Sequence, residues 1–103
     1  MRKVRLSKTF LHQLDDLLAQ GEAKFGPRVA DEKLDRVYAT INNHLAWFPD
    51  TKRPDRHLKL HLYPVTNVPF VLAYDFDDDE LRIHFVLHAS ADRRLVDPSD
   101  IEW

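Results

Sequence analysis

The hydrophobic period of this chain changes between Pro49 and Arg56, and few folds accommodate both halves. Upstream, Phe10, Leu11, Leu14, Leu17 and Leu18 recur at helical spacing. So do Ala30, Leu34, Val37, Ile41, Leu45 and Phe48, widened by Tyr38. Ser7 suits a helix N-cap. Gly26-Pro27 suits the end of one helix and the first turn of the next, and Pro49 stops the second. Two helices joined by so short a break form an antiparallel hairpin. Downstream, Leu58, Leu60 and Leu62 alternate with His57, Lys59, His61 and Tyr63. Phe70 to Phe76 reads as a more buried strand. Leu81, Ile83, Phe85 and Leu87 then alternate with Arg82, His84, Val86 and His88. Pro64 and Pro69 bracket one turn and Asp77-Asp78-Asp79 makes the next, so the three strands form an antiparallel meander.

Neither half can hide its own apolar face, and packing one on the other hides both. The expected architecture is α+β: an N-terminal strand at Lys3–Leu6 and a helical hairpin over about 7–48, packed on a C-terminal antiparallel sheet over about 57–88. A tail, 89–103, carries a turn signal at Asp97-Pro98, and the whole of 1–103 reads as one domain.

Composition narrows the function classes. With 44% hydrophobic and 11% aromatic residues, disorder is excluded as the ground state. Cysteine is absent, which rules out disulfides and thiolate zinc sites and fits a reducing cytoplasm. The basic start MRKVR precedes no apolar signal core, and no apolar run approaches the ~20 residues of a membrane span. The net charge of −2 excludes coating nucleic acid by bulk charge, so any such contact needs a local basic patch. No cofactor is expected. His57/His61 and His84/His88 are four apart, a separation of about 13 Å along a strand, too far for two ligands of one metal. Asp77 to Glu80 lacks the glycine and spacing of a calcium loop and reads as a solvated turn. Trp47, at the end of the second helix, is expected in the core. Trp103 is expected to contact a partner, because a terminal Trp is costly to leave in water.

Three local features resemble the RelE/ParE superfamily of small toxins. They are the helix start Leu14-Asp15-Asp16-Leu17, the aromatic strand Val68 to Tyr74, and Leu81 to His88 followed by Ala91-Asp92-Arg93. The resemblance spans about residues 2–92 and is closer to the ParE branch, whose last strand ends in a histidine followed shortly by an Arg-Asp pair. It implies a toxin of a type II toxin–antitoxin pair that binds and inhibits DNA gyrase and is neutralised by a cognate antitoxin, with Trp103, Arg93 and Arg94 as partner contacts. The alternative it implies is a ribosome-dependent mRNA endonuclease. There His61, His84, His88 and Asp92 would move protons, while Lys59 and Arg82 would stabilise the phosphorane charge. A third possibility is a degenerate member that only binds a partner. The chain departs from the family pattern where Lys59 stands for an arginine and where the tail carries Asp97, Asp100 and Glu102. The alternating polar residues also fit a sheet face that simply meets water.

Overall fold

A computed structural model describes residues 1–50 and 53–103; Thr51 and Lys52, in the polar loop expected between the helices and the sheet, lie outside the described residues. The element order is β1 (Lys3–Leu6), α1 (Lys8–Phe25), α2 (Pro27–Thr40), β2 (His61–Pro64), β3 (Phe70–Phe76) and β4 (Glu80–His88). The helical hairpin stands where the periodicity puts it, and the meander follows it but begins later, at His61. Gly26 closes α1 at φ 88°, a left-handed conformation that costs glycine little, and its N–H donates to Glu22 O.

The sheet order is β1-β4-β3-β2. β2 and β3 pair antiparallel, as do β3 and β4, while β1 runs parallel to β4. The sheet is therefore mixed, because the N-terminal strand joins it rather than standing apart. Phe10 and Leu14 of α1, and Val37, Ile41 and Leu45 from α2 onward, bury against Phe70, Leu72, Tyr74, Leu81, Ile83 and Val86. A second apolar cluster of Leu58, Leu60, Ala73 and Phe85 lies on the opposite face, with Val96 and Ile101 of the tail packed on it.

The two clusters exist because β4 contains a bulge. Tyr74 pairs with Ile83 but Ala73 pairs with Phe85, so His84 has no partner on β3. One extra residue reverses the facing of everything beyond it. Leu81 and Ile83 face the helices, whereas Phe85 faces away from them. The expected single stripe Leu81-Ile83-Phe85-Leu87 is thus corrected: its two halves serve different faces.

Where β1 ends beside the bulge, the start of α1 takes over the bonding to β4. Ser7 N–H donates to Ile83 O at 3.1 Å and Ser7 Oγ donates to His84 O. Val86 N–H donates to Gln13 Oε1 at 3.1 Å. Ser7 Oγ also accepts from Phe10 N–H at 2.8 Å, which makes it the N-cap of α1. The first-turn donors Lys8 N–H and Thr9 N–H are satisfied by Glu102 O of the tail, at 2.8 and 3.3 Å.

Three expectations need correction. Lys59 is not in a strand: it has φ 57°, and β2 starts only at His61. Asp55 causes this, because its Oδ2 accepts from the N–H groups of His57 and Leu58 while its carbonyl accepts from Lys59 N–H, closing a turn. The leucines keep strand-like spacing but point inward from that turn. Trp47 and Phe48 are 52% and 67% exposed rather than core. A π turn over Ile41–Leu45, with Ala46 N–H donating to Ile41 O, shifts the helical phase before they are reached.

Ser7→Ala removes the cap of α1 and the side-chain partner of the bulge together. Urea unfolding at neutral pH should show a loss of about 1–3 kcal/mol. A loss under about 0.5 kcal/mol would contradict the role given to Ser7.

Candidate functional site

The bulge divides the sheet face turned away from the helices into two chemically different halves. On the β1 side, the register sets Lys3 beside Glu80 and Arg5 beside Arg82. Two adjacent arginines repel unless each is compensated. Arg82 Nε bonds Asp75 Oδ1 at 2.8 Å, and its Nη1 bonds Asp77 Oδ2 at 3.0 Å and Glu80 Oε1 at 3.1 Å. The hydrogen bonds that Arg82 donates to Asp75 and Asp77 raise its pKa further above its ordinary value. Arg5 instead lies over the Trp103 ring, 4.9 Å from its centroid. Trp103 meets His84 edge-on at 4.8 Å, and His84 Nε2 lies 2.9 Å from Asp75 Oδ1. Arg5, Trp103, His84, Asp75 and Arg82 therefore form one interlocked cluster.

This cluster accounts for three of the expected site residues. Arg82 is bound by three carboxylates, and His84 is half-buried between Asp75 and Trp103. Trp103 avoids water by packing on its own sheet, so the physical reason for assigning it to a partner is met within the chain.

The remaining expected residues lie elsewhere. His61 is on the helix-side face, with its ring stacked on Tyr74 at 5.4 Å and close to Phe76 at 5.2 Å. Tyr74 in turn donates from its hydroxyl to Pro49 O at 2.7 Å, tying the exit of the helical hairpin to the sheet. His88 is exposed at the end of β4, its Nδ1 2.8 Å from Ser90 Oγ. Lys59 is exposed in the turn before β2. Asp92 caps a short 3-10 turn at Arg93–Leu95 and pairs with Arg94 at 3.0 Å. The Arg94 hydrogen bond, helped by the Arg94 N–H, lowers the Asp92 pKa. Arg93 reaches Asp55 at 3.5 Å. The structure thus brings together Arg82 and His84, and leaves His61, His88, Lys59 and Asp92 apart from them. Among the described residues, no three His, Asp or Glu side chains converge as metal ligands. Among the described residues, no helix is long and apolar enough to cross a membrane.

No sequence pattern marks Asp75, and Asp77 reads there only as a turn residue, although both hold the cluster together. Burial pushes the Asp75 pKa up, but hydrogen bonds from Arg82 and His84, with their charges, bring it below the ordinary 3.8. The Arg82 hydrogen bond and the N–H groups of Asp79 and Glu80 bring Asp77 down to about 2. A carboxylate whose pKa falls on folding stabilises the fold above its unfolded pKa and loses that contribution as pH falls through the folded value. Stability should therefore decline from the ordinary carboxylate value of 3.8 toward about 2. Asp75→Asn should be less stable than the parent near neutral pH, and denaturation curves should show the gap closing as pH falls below the ordinary carboxylate value of 3.8. A gap of constant size would show that the Asp75 charge is not what matters.

The chain matches the family model described as the ParE toxin of the type II toxin–antitoxin system parDE, over residues 4–93. The match ends before the segment that covers the polar cluster and caps α1. A chain of a solved structure titled "Chromosomal ParDE TA system from P. aeruginosa" has the same fold at a TM-score of 0.74 and 14% identity. The alignment covers 85% of this chain and 96% of that one. No curated protein sequence matches significantly. The mixed sheet under a helical hairpin is thus the ParE-like α+β fold, and the chain belongs to the ParE toxin family of type II toxin–antitoxin systems.

Proposed function

We propose that this chain is a toxin that acts by binding, with DNA gyrase as its target, and that a cognate antitoxin neutralises it. The observation carrying the reading is the separation of the histidines. Metal-free RNA cleavage needs a base and an acid on either side of one phosphate, each within hydrogen-bond reach. His61 and His84 face opposite sides of the sheet, and His88 lies beyond the bulge at the end of β4. Asp75 and Trp103 occupy His84, and three carboxylates occupy Arg82. Asp92 is engaged as a turn cap. A surface whose charged groups are already paired favours recognition over proton transfer. Family membership supports the toxin class, and the ParDE title of the structural neighbour supports an antitoxin partner.

Purified chain should be incubated with gyrase, ATP and plasmid DNA, and in parallel with a translation reaction. The expected result is lost supercoiling or accumulated cleaved DNA, with messenger RNA left intact. Expression should also arrest growth, and His88→Ala, an exposed change, should leave the arrest intact. Codon-specific cuts in ribosome-bound messenger with gyrase unaffected would replace this reading with the endonuclease alternative. Neither effect, with normal growth, would leave the partner-binding reading.

A further inference from the structure

Beyond the bulge, the sheet face turned away from the helices is apolar, and part of it is open. A groove of about 350 Å³ has Leu62, Val71 and Leu87 along its floor and Arg53, His88 and Arg93 at its rim. The pairings Val71↔Leu87 and Pro64↔Val71 run the floor across β4 and β3 to β2, which is the outer strand of the sheet. Asp55 is the acidic residue of the lining, and its charge is committed. Its Oδ2 accepts from two backbone N–H groups, and its Oδ1 faces Arg93. The Arg93 contact is long, at 3.5 Å, with the Arg93 side chain 57% exposed, so the guanidinium can serve a second carboxylate. In a chain of net charge −2, this is a local basic rim around an apolar floor.

From this geometry we infer that the groove binds an extended segment of a partner protein in which apolar and acidic residues alternate. An extended chain sends alternate side chains to opposite sides at about 3.3 Å per residue. Apolar side chains would enter between Leu62, Val71 and Leu87, and carboxylates would be met by Arg53 and Arg93 in charge-assisted hydrogen bonds. A flat basic patch suited to a nucleic-acid backbone would not need the apolar floor, and an apolar dimer face would not need the basic rim. The inference rests on the toxin–antitoxin reading only for the source of the segment, which would be the antitoxin. The groove itself is argued from its lining.

The probe is an acetylated, amidated hexapeptide of alternating Leu and Glu, titrated into the full isotope-labelled chain and followed by NMR. Saturable shifts are expected at Leu62, Val71, Leu87 and Arg93. Arg53→Glu and Arg93→Gln, both exposed changes whose unchanged spectra elsewhere report an intact fold, should each weaken binding about fivefold. The matching Leu/Lys peptide should not bind. No saturable shifts, equal binding of the Leu/Lys peptide, or affinity unchanged in both variants would overturn the inference. The same shifts from inorganic phosphate alone would make this a simple anion site and overturn it as well. Concentration-dependent shifts without peptide would identify a second copy as occupant, with the same consequence. None of these outcomes depends on gyrase.

Discussion

The hydrogen bonds between Ser7 and the bulge in β4 hold the two layers in register. A bulged residue gives up ladder bonding, and a buried backbone group without a partner is costly. Ser7 supplies that bonding at His84 with its hydroxyl, its N–H carries the β1–β4 ladder one step further at Ile83, and the same oxygen caps α1. It is fully buried, the one polar residue so placed among those described. Gln13, two turns along the same helix, takes the amide of Val86 on the other side of the bulge. The bulge can persist because α1 is there, and the start of α1 is fixed because the bulge is there.

The division of labour on the sheet follows. Before the bulge, β4 directs Arg82 and His84 away from the helices into a charged cluster closed by Trp103. After it, Phe85 and Leu87 occupy that same face, and it becomes apolar. One half is covered by the chain's own tail. The other half is partly open between arginines. A sheet so divided has no continuous polar floor on which a substrate could meet several proton-transfer groups at once. What it offers instead is a surface with distinct charged and apolar parts, which suits recognition of another macromolecule.

Much of this was legible in the sequence. Ser7, Gly26, Pro27 and the helical stripes locate α1 and α2, because caps and periodicity are local properties. The same holds for Phe70–Phe76 and for the Asp-rich turn, where Asp77 Oδ1 accepts from Asp79 and Glu80 N–H as an Asp in a turn should. The misread parts depend on contacts distant in sequence. Leu81, Ile83, Phe85 and Leu87 alternate without a break, so nothing in that pattern alone announces a reversal. The one local sign is the unbroken run Phe85-Val86-Leu87, which a strand facing water on one side has no reason to carry. Leu58 and Leu60 likewise alternate as in a strand, although Asp55 has turned the backbone between them. The histidines share a face only if strand parity runs straight through His84 and Leu62 faces the helices; the bulge removes His88 from that face, and Leu62 on the outer cluster turns His61 to the helix side. Trp103 could not be assigned from sequence because its neighbours, Arg5 and His84, come from strands at opposite ends of the chain.

The central claim is that β4 changes faces at His84. It is tested most directly by NMR distance contacts from the ring of Phe85 in the full chain. The account predicts contacts from Phe85 to the methyl groups of Leu58 and Leu60, with Ile83 contacting the ring of Tyr74 on the opposite face. Contacts from Phe85 to Phe10 and Leu14 would mean an unbulged strand with one continuous polar face. That result would contradict both the role of Ser7 and the separation of His84 from His88.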